Sequence, residues 1–113
     1  MTYRIYRLKD TEENVRARFL GSESLKKYGF WPINPEAYEM IWEGFHSGFE
    51  PERFLDWVYE KFNIDPPRGF KHYSVSVGDI VVLFGRQSGA YICDKIGWTP
   101  LPEFFEYADS LED

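Results

Sequence analysis

Cys93, His72 and the carboxylates Asp79 and Asp94 are the residues whose types could run a reaction. A thiol needs a base to take its proton, and a carboxylate can orient that base, so Cys, His and Asp together would form a nucleophilic triad. Their settings argue against it. Cys93 falls inside "AYICDKI", a strand-like run in which an unactivated thiol behaves as a small apolar side chain. Activated thiols sit at helix starts or beside cations. His72 lies between Lys71 and Tyr73 in a loop entering a strand, and the second histidine, His46, stands in "FHSGF". No His-x-x-x-His or comparable metal spacing joins them. Ser74 and Ser76 alternate with valines as one face of a strand would, without the G-x-S-x-G elbow of a serine hydrolase. Asp79, after Gly78, is suited to accept backbone N–H groups in a turn. The glycines of "GRQSG" do not lead from a strand into a helix, which excludes a phosphate-binding loop. The expectation is no catalytic residue, no metal and no cofactor.

The elements that carry these residues follow from periodicity. "TYRIYRLK" alternates as a strand covered on both faces. "DTEENVRA" reads as a loop or short helical turn, and "RFL" as a brief extended piece. In "GSESLKKYG", Ser22 is positioned to cap a short helix and Gly29 to end it in the left-handed conformation. "FWPINP" is a turn-rich connector. "EAYEMIWEGF" reads as a strand with Tyr38, Met40 and Trp42 on one face and Glu39, Ile41 and Glu43 on the other. "EPERFLDWVYEKFN" is the clearest helix. Phe54, Leu55, Val58 and Phe62 fall on one arc, with Pro51 in the first turn and a stop by "NIDPP".

"SVSV" then alternates, Gly78-Asp79 breaks the run, and "IVVLF" is a continuous apolar block suited to a strand buried on both faces. A hairpin pairing Ile80–Phe84 with Tyr91–Ile96 follows. The closing "EFFEYADSLED" is amphipathic, with Phe104, Phe105, Tyr107, Ala108 and Leu111 on its apolar side. Residues 1–113 therefore read as one α+β domain: a small, mostly antiparallel sheet, a β-hairpin in the C-terminal half, and two to three packed helices.

Composition narrows the function classes. Twenty-two of the 113 residues are Phe, Tyr or Trp, a 19% share that exceeds what a small core easily encloses. Surface aromatics commonly anchor partners. A single cysteine excludes an internal disulfide and a Cys-rich zinc site. No apolar run is long enough to cross a bilayer and the N-terminal stretch has no signal-peptide core, so cytoplasmic residence is expected. The net charge of −6 is concentrated at one end, because residues 103–113 hold five acids and no base. The remainder is nearly neutral. Direct nucleic-acid binding and attraction to an anionic membrane are both disfavoured.

The order of segments resembles the YodL-like family of small bacterial domains. The likeness is carried by "YRIYRLK", "YEMIWEG", "EKFNIDPPRGFKHYSVSVGDIVVL", "AYICDKIGW" and "LPEFF", and runs from about Tyr3 to Phe105. Val75 stands where the family pattern usually has Leu, and Gly78 where it usually has Ser. The resemblance implies a domain that forms part of bacterial mobile-element, conjugative-element and phage cargo, alone or fused into larger multidomain proteins. It brings no catalytic mechanism and no defined functional residues.

The expected role is a non-catalytic binding module that modulates a bacterial host protein. Trp31, Trp42, Trp57, Trp98, Arg86 at the hairpin tip, and the acids Glu103, Glu106 and Asp109 form the pool from which its contact surface is drawn. An acidic anti-defence inhibitor that mimics nucleic acid is the alternative, although a mimic needs carboxylates spread along an extended face. A small enzyme using Cys93 and His72 ranks last.

Overall fold

The computed structural model describes residues 1–47, 50–72 and 74–111. Its framework is a five-stranded, wholly antiparallel sheet in the order β2-β1-β3-β4-β5. The strands are β1 (Thr2–Leu8), β2 (Tyr38–Phe45), β3 (Ile80–Leu83), β4 (Gly89–Cys93) and β5 (Trp98–Pro100). Three helices are present among the described residues: α1 (Ser22–Lys27), α2 (Pro51–Ile64) and α3 (Pro102–Ser110). Single 3-10 turns at Glu12–Asn14 and Pro35–Ala37 complete the regular structure. Among the described residues no helix is long and apolar enough to cross a membrane.

The alternation along each strand builds two cores, one on each side of the sheet. On one side Tyr6, Ile80, Val82 and Ile92 pack with Leu25 of α1 and with Phe104 and Ala108 of α3. On the other, Tyr3, Ile5, Val81 and Leu83 pack with Phe54, Leu55, Val58 and Phe62 of α2. The α2 arc read from the sequence is thus the face that is buried. All four β3 residues are fully buried, as a strand covered by helices on both faces requires.

The hairpin is β3 and β4, with Ile80 opposite Ile92 and Val82 opposite Ala90. It is shorter at both ends than the sequence suggests. Phe84 lies outside β3, and Asp94 to Gly97 turn the chain into β5, with Asp94 N–H donating to the Gly97 carbonyl at 3.0 Å.

The β2 strand departs from simple alternation. Ile5 pairs with Trp42 but Tyr6 pairs with Met40, so Ile41 is an extra residue, a β-bulge. Tyr38 therefore packs on the α3 side, whereas Ile41 and Trp42 both pack on the α2 side. The expectation that Tyr38, Met40 and Trp42 share a face is corrected accordingly. Two residues beyond Trp42, Tyr3 lies so close over Gly44 that a Cβ there would sit 2.7 Å from the phenol oxygen and 2.8 Å from Cζ. Only glycine fits beneath that ring.

Other local expectations change for identifiable reasons. Ser22 is the first residue of α1 and Gly21 is its N-cap, because the Ser22 hydroxyl is turned to Asp94 instead. Gly29 does adopt a left-handed φ of 86° after the helix. "RFL" is a turn, not an extended piece, and Phe19 has φ 62° there. Ser74 to Ser76 is not a strand. Its backbone is held by side chains, with Asn63 Oδ1 of α2 accepting from Val75 N–H at 3.0 Å and Asp79 Oδ2 from Ser76 N–H at 2.8 Å. In α3, Phe104 and Ala108 are buried as expected, but the helix ends at Ser110 and Leu111 is exposed. Glu112 and Asp113 lie outside the described residues.

Candidate functional site: an acid-rimmed cleft

The reactive residue types are built into the scaffold. Cys93 closes β4 and is buried, its Sγ 3.6 Å from the Asp94 carbonyl. Burial, reinforced by the negative charges of Asp79 and Asp94, pushes its thiol up to about 12. At neutral pH it is protonated and a poor nucleophile. His72 is half-buried and lies against Phe70, ring centroids 5.5 Å apart. His46 packs on Trp57 at 4.4 Å.

Both aspartates already have partners. Asp79 is gripped by Arg7 at 2.7 and 3.0 Å and accepts Ser76 N–H. Burial raises its carboxyl above the ordinary range, while Arg7 and the Ser76 N–H act in the opposite direction. Asp94 accepts Ser22 N–H at 2.6 Å, the Ser22 hydroxyl at 3.0 Å and the Thr99 hydroxyl, which ties α1 to the β4–β5 turn. Ser74 and Ser76 hydroxyls bond each other at 3.1 Å. A hollow of about 380 Å³ is bordered by Cys93, but His72 is not among its lining residues. Among the described residues no group of three or more His, Cys, Asp or Glu is placed to hold a metal.

The tryptophans separate by neighbour. Trp42 and Trp57 are half-buried against the α2-side core. Trp42 Nε1 donates to the Tyr3 hydroxyl at 3.3 Å, and its ring meets Phe62 edge-on. Trp57 meets Tyr3 and Phe54. Trp31 packs on the α3-side core with Lys26 above its ring at 4.7 Å. It shares a hollow of about 300 Å³ with Glu103 and several prolines. Glu106 and Asp109 are exposed on α3, and Arg86 is exposed in the β3–β4 loop.

Trp98 is placed differently. It lies at the start of β5, half-buried, and lines an open cleft of about 650 Å³ between the first turns of α2 and the β4–β5 end of the sheet. Trp98, Tyr91 and Leu55 supply its apolar floor, and Glu50, Glu52 and Asp56 its carboxylates. Two local features make this wall. Pro51 starts α2 with Glu50 as N-cap, which sets Glu52 and Asp56 one turn apart on the helix flank that turns away from the core. Pairing of Tyr91 with Pro100 and of Cys93 with Trp98 then brings the two rings to the facing edge. The size is that of a ligand- or peptide-binding groove. Of the candidate contact residues, Trp98 alone lines this cleft. Glu50, Glu52, Asp56 and Tyr91 were not singled out by the sequence, although Glu52 and Asp56 stand in "EPERFLDWVYEKFN" off the apolar arc of the helix.

Comparison with curated proteins and with solved structures returns no match. The family model for the YodL-like domain matches residues 2–104, nearly the whole fold from β1 into α3. The chain belongs to the YodL-like domain family.

Proposed function

We propose that this domain is a non-catalytic binding module that seats part of a bacterial host protein in the cleft between α2 and β4–β5, and so modulates it. The observation that carries the reading is the cleft itself: about 650 Å³, open to solvent, with two aromatic rings on its floor and carboxylates along its wall. Aromatic anchors flanked by polar groups are how protein interfaces concentrate binding energy. The buried, protonated Cys93 and the engaged Asp79 and Asp94 favour binding over chemistry. A cytoplasmic setting, and carriage on mobile or conjugative elements, belong to the same proposal.

The alternative of a nucleic-acid mimic has less support. Glu103, Glu106 and Asp109 project from α3 and Glu52 and Asp56 from α2, and these helices cover opposite faces of the sheet. The carboxylates form no single stripe.

Site-specific photo-crosslinking tests the reading. A photoreactive phenylalanine analogue at position 52, in cells carrying the domain, is expected to capture a discrete host protein. The same group at Tyr28, exposed beyond α1 on the other sheet face, should not. Equal capture from both positions, or none from position 52, would remove the cleft as the contact surface.

A further inference from the structure

The cleft also indicates what kind of segment it accepts. Among the described residues its lining carries Glu50, Glu52 and Asp56 and no Lys or Arg. Four carboxylates elsewhere in the domain are held in ion pairs, Asp10 with Arg18, Glu43 with Arg4, Asp65 with Lys61 and Asp79 with Arg7, whereas acids such as Glu106 and Asp109 on α3 make none with a described residue. The three in the cleft make no side-chain hydrogen bond or ion pair with any described residue. The start of α2 contributes a positive partial charge of about half an elementary unit, which three carboxylates outweigh several-fold. Below them lie the rings of Tyr91 and Trp98, with Leu55 between helix and sheet. An aromatic floor beneath unpaired carboxylates suits a cation with an apolar stem, since an aromatic face attracts the charge and apolar surface takes the methylenes. An anionic segment meets repulsion from the wall, and a purely apolar one leaves the carboxylates idle.

We infer that the cleft binds a basic, extended protein segment, with a Lys or Arg side chain laid across Trp98 and Tyr91 and its charge matched by Glu50, Glu52 and Asp56. This inference rests on the binding-module reading and adds the chemistry of the partner. Electrostatic complementarity of this kind sets partner choice and association rate, and it is screened by salt.

The probe is a capped octapeptide alternating glycine with lysine and arginine, titrated into the isotopically labelled 113-residue chain and followed by NMR. Shifts should concentrate on the Trp98 indole N–H, Leu55 and Gln87, and affinity should fall at least about fivefold between roughly 50 and 300 mM salt. Glu52→Lys/Asp56→Lys should abolish the shifts, while Glu106→Lys/Asp109→Lys, the same charge change on α3, should preserve them. The spectrum itself reports whether each variant is folded. An octapeptide with glutamine at every basic position should leave the cleft unmoved. If it perturbs the cleft equally, the charge assignment fails and the binding-module reading survives. If the basic peptide causes no shifts there, or both charge-reversal variants lose binding alike, the inference is overturned. Failure of the broader reading shows separately, as absence of a cross-linked protein from position 52.

Discussion

The guanidinium of Arg7 holds the carboxylate of Asp79 through two parallel N–H bonds, Nε to Oδ1 at 3.0 Å and Nη2 to Oδ2 at 2.7 Å. Arg7 also donates to the Ser74 carbonyl, so one side chain on β1 fixes the whole approach to β3. The Asp79 side chain is 5% exposed and that of Arg7 18%. A buried pair is costly to break because the survivor keeps its desolvation penalty. Arg7→Leu should therefore destabilise the domain by about 3 kcal/mol, the low end of the usual range because Arg7 keeps some solvent. The double variant Arg7→Leu/Asp79→Leu should lose less than the two single changes added together. Urea unfolding of the four proteins checks this, and strict additivity would mean that the pair is not coupled.

Alkaline pH should weaken the fold through Cys93 and Tyr38. Burial pushes both groups up to about 12, from 9.0 for the thiol and 10.0 for the phenol. In each case the folded chain keeps a proton that the unfolded chain releases. Stability is then fully present below pH 9 and is lost as pH rises toward 12. The melting temperature should fall from about pH 9 upward. Cys93→Ala should flatten the first part of that decline, before the phenol contributes. A wild-type curve that stays level to pH 11, or one unchanged by Cys93→Ala, would contradict the burial of this thiol. Slow labelling of the native protein by a thiol reagent at neutral pH should accompany it.

Val82 is fully buried between Arg4 of β1 and Ala90 of β4. Val82→Asp should unfold the domain, since its neighbour Arg4 is already bound to Glu43 and a carboxylate buried there costs several kcal/mol against a total stability of roughly 5–15 kcal/mol. Circular dichroism and gel filtration are sufficient readouts. A soluble variant that melts cooperatively would place β3 outside the structural centre.

At Gly44 two effects oppose each other. Replacing a strand glycine by alanine ordinarily stabilises by about 0.5–1 kcal/mol. Here the new methyl meets the Tyr3 ring, which is buried and packed edge-on to Phe54 and Trp57. Overpacking costs about 1–3 kcal/mol, so the clash wins. Gly44→Ala should lower the melting temperature, and an unchanged or raised value would show that the Tyr3 ring moves aside freely.

Periodicity made much of the fold legible. Phe54, Leu55, Val58 and Phe62 recur at helical spacing and are the buried face of α2; Ile80 to Leu83 form an unbroken apolar block and are the central strand. Where side chains replace the ladder, pattern misleads. Ser74 to Ser76 alternates like a strand, yet Asn63 and Asp79 take the hydrogen bonds that a neighbouring strand would supply. The bulge at Ile41 was invisible because it depends on pairing with β1, not on β2 alone. The cleft was hidden for a similar reason. Its acids come from residues 50–56 and its rings from residues 91 and 98, and only the folded sheet joins them. Nor does composition tell Trp98 from Trp42, since both are half-buried and differ only in what lies beyond them.

The extra residue at Ile41 makes β2 work in two phases. N-terminal to it the strand serves the core beneath α3, and C-terminal to it the core beneath α2. Ile41 has no partner on β1, so deleting it would leave Tyr38 opposite Leu8 and Trp42 opposite Ile5, each still facing its present core. A residue can thus leave this strand at the bulge without exchanging the two layers, and what is lost is the Ile41 side chain packed on the α2 side.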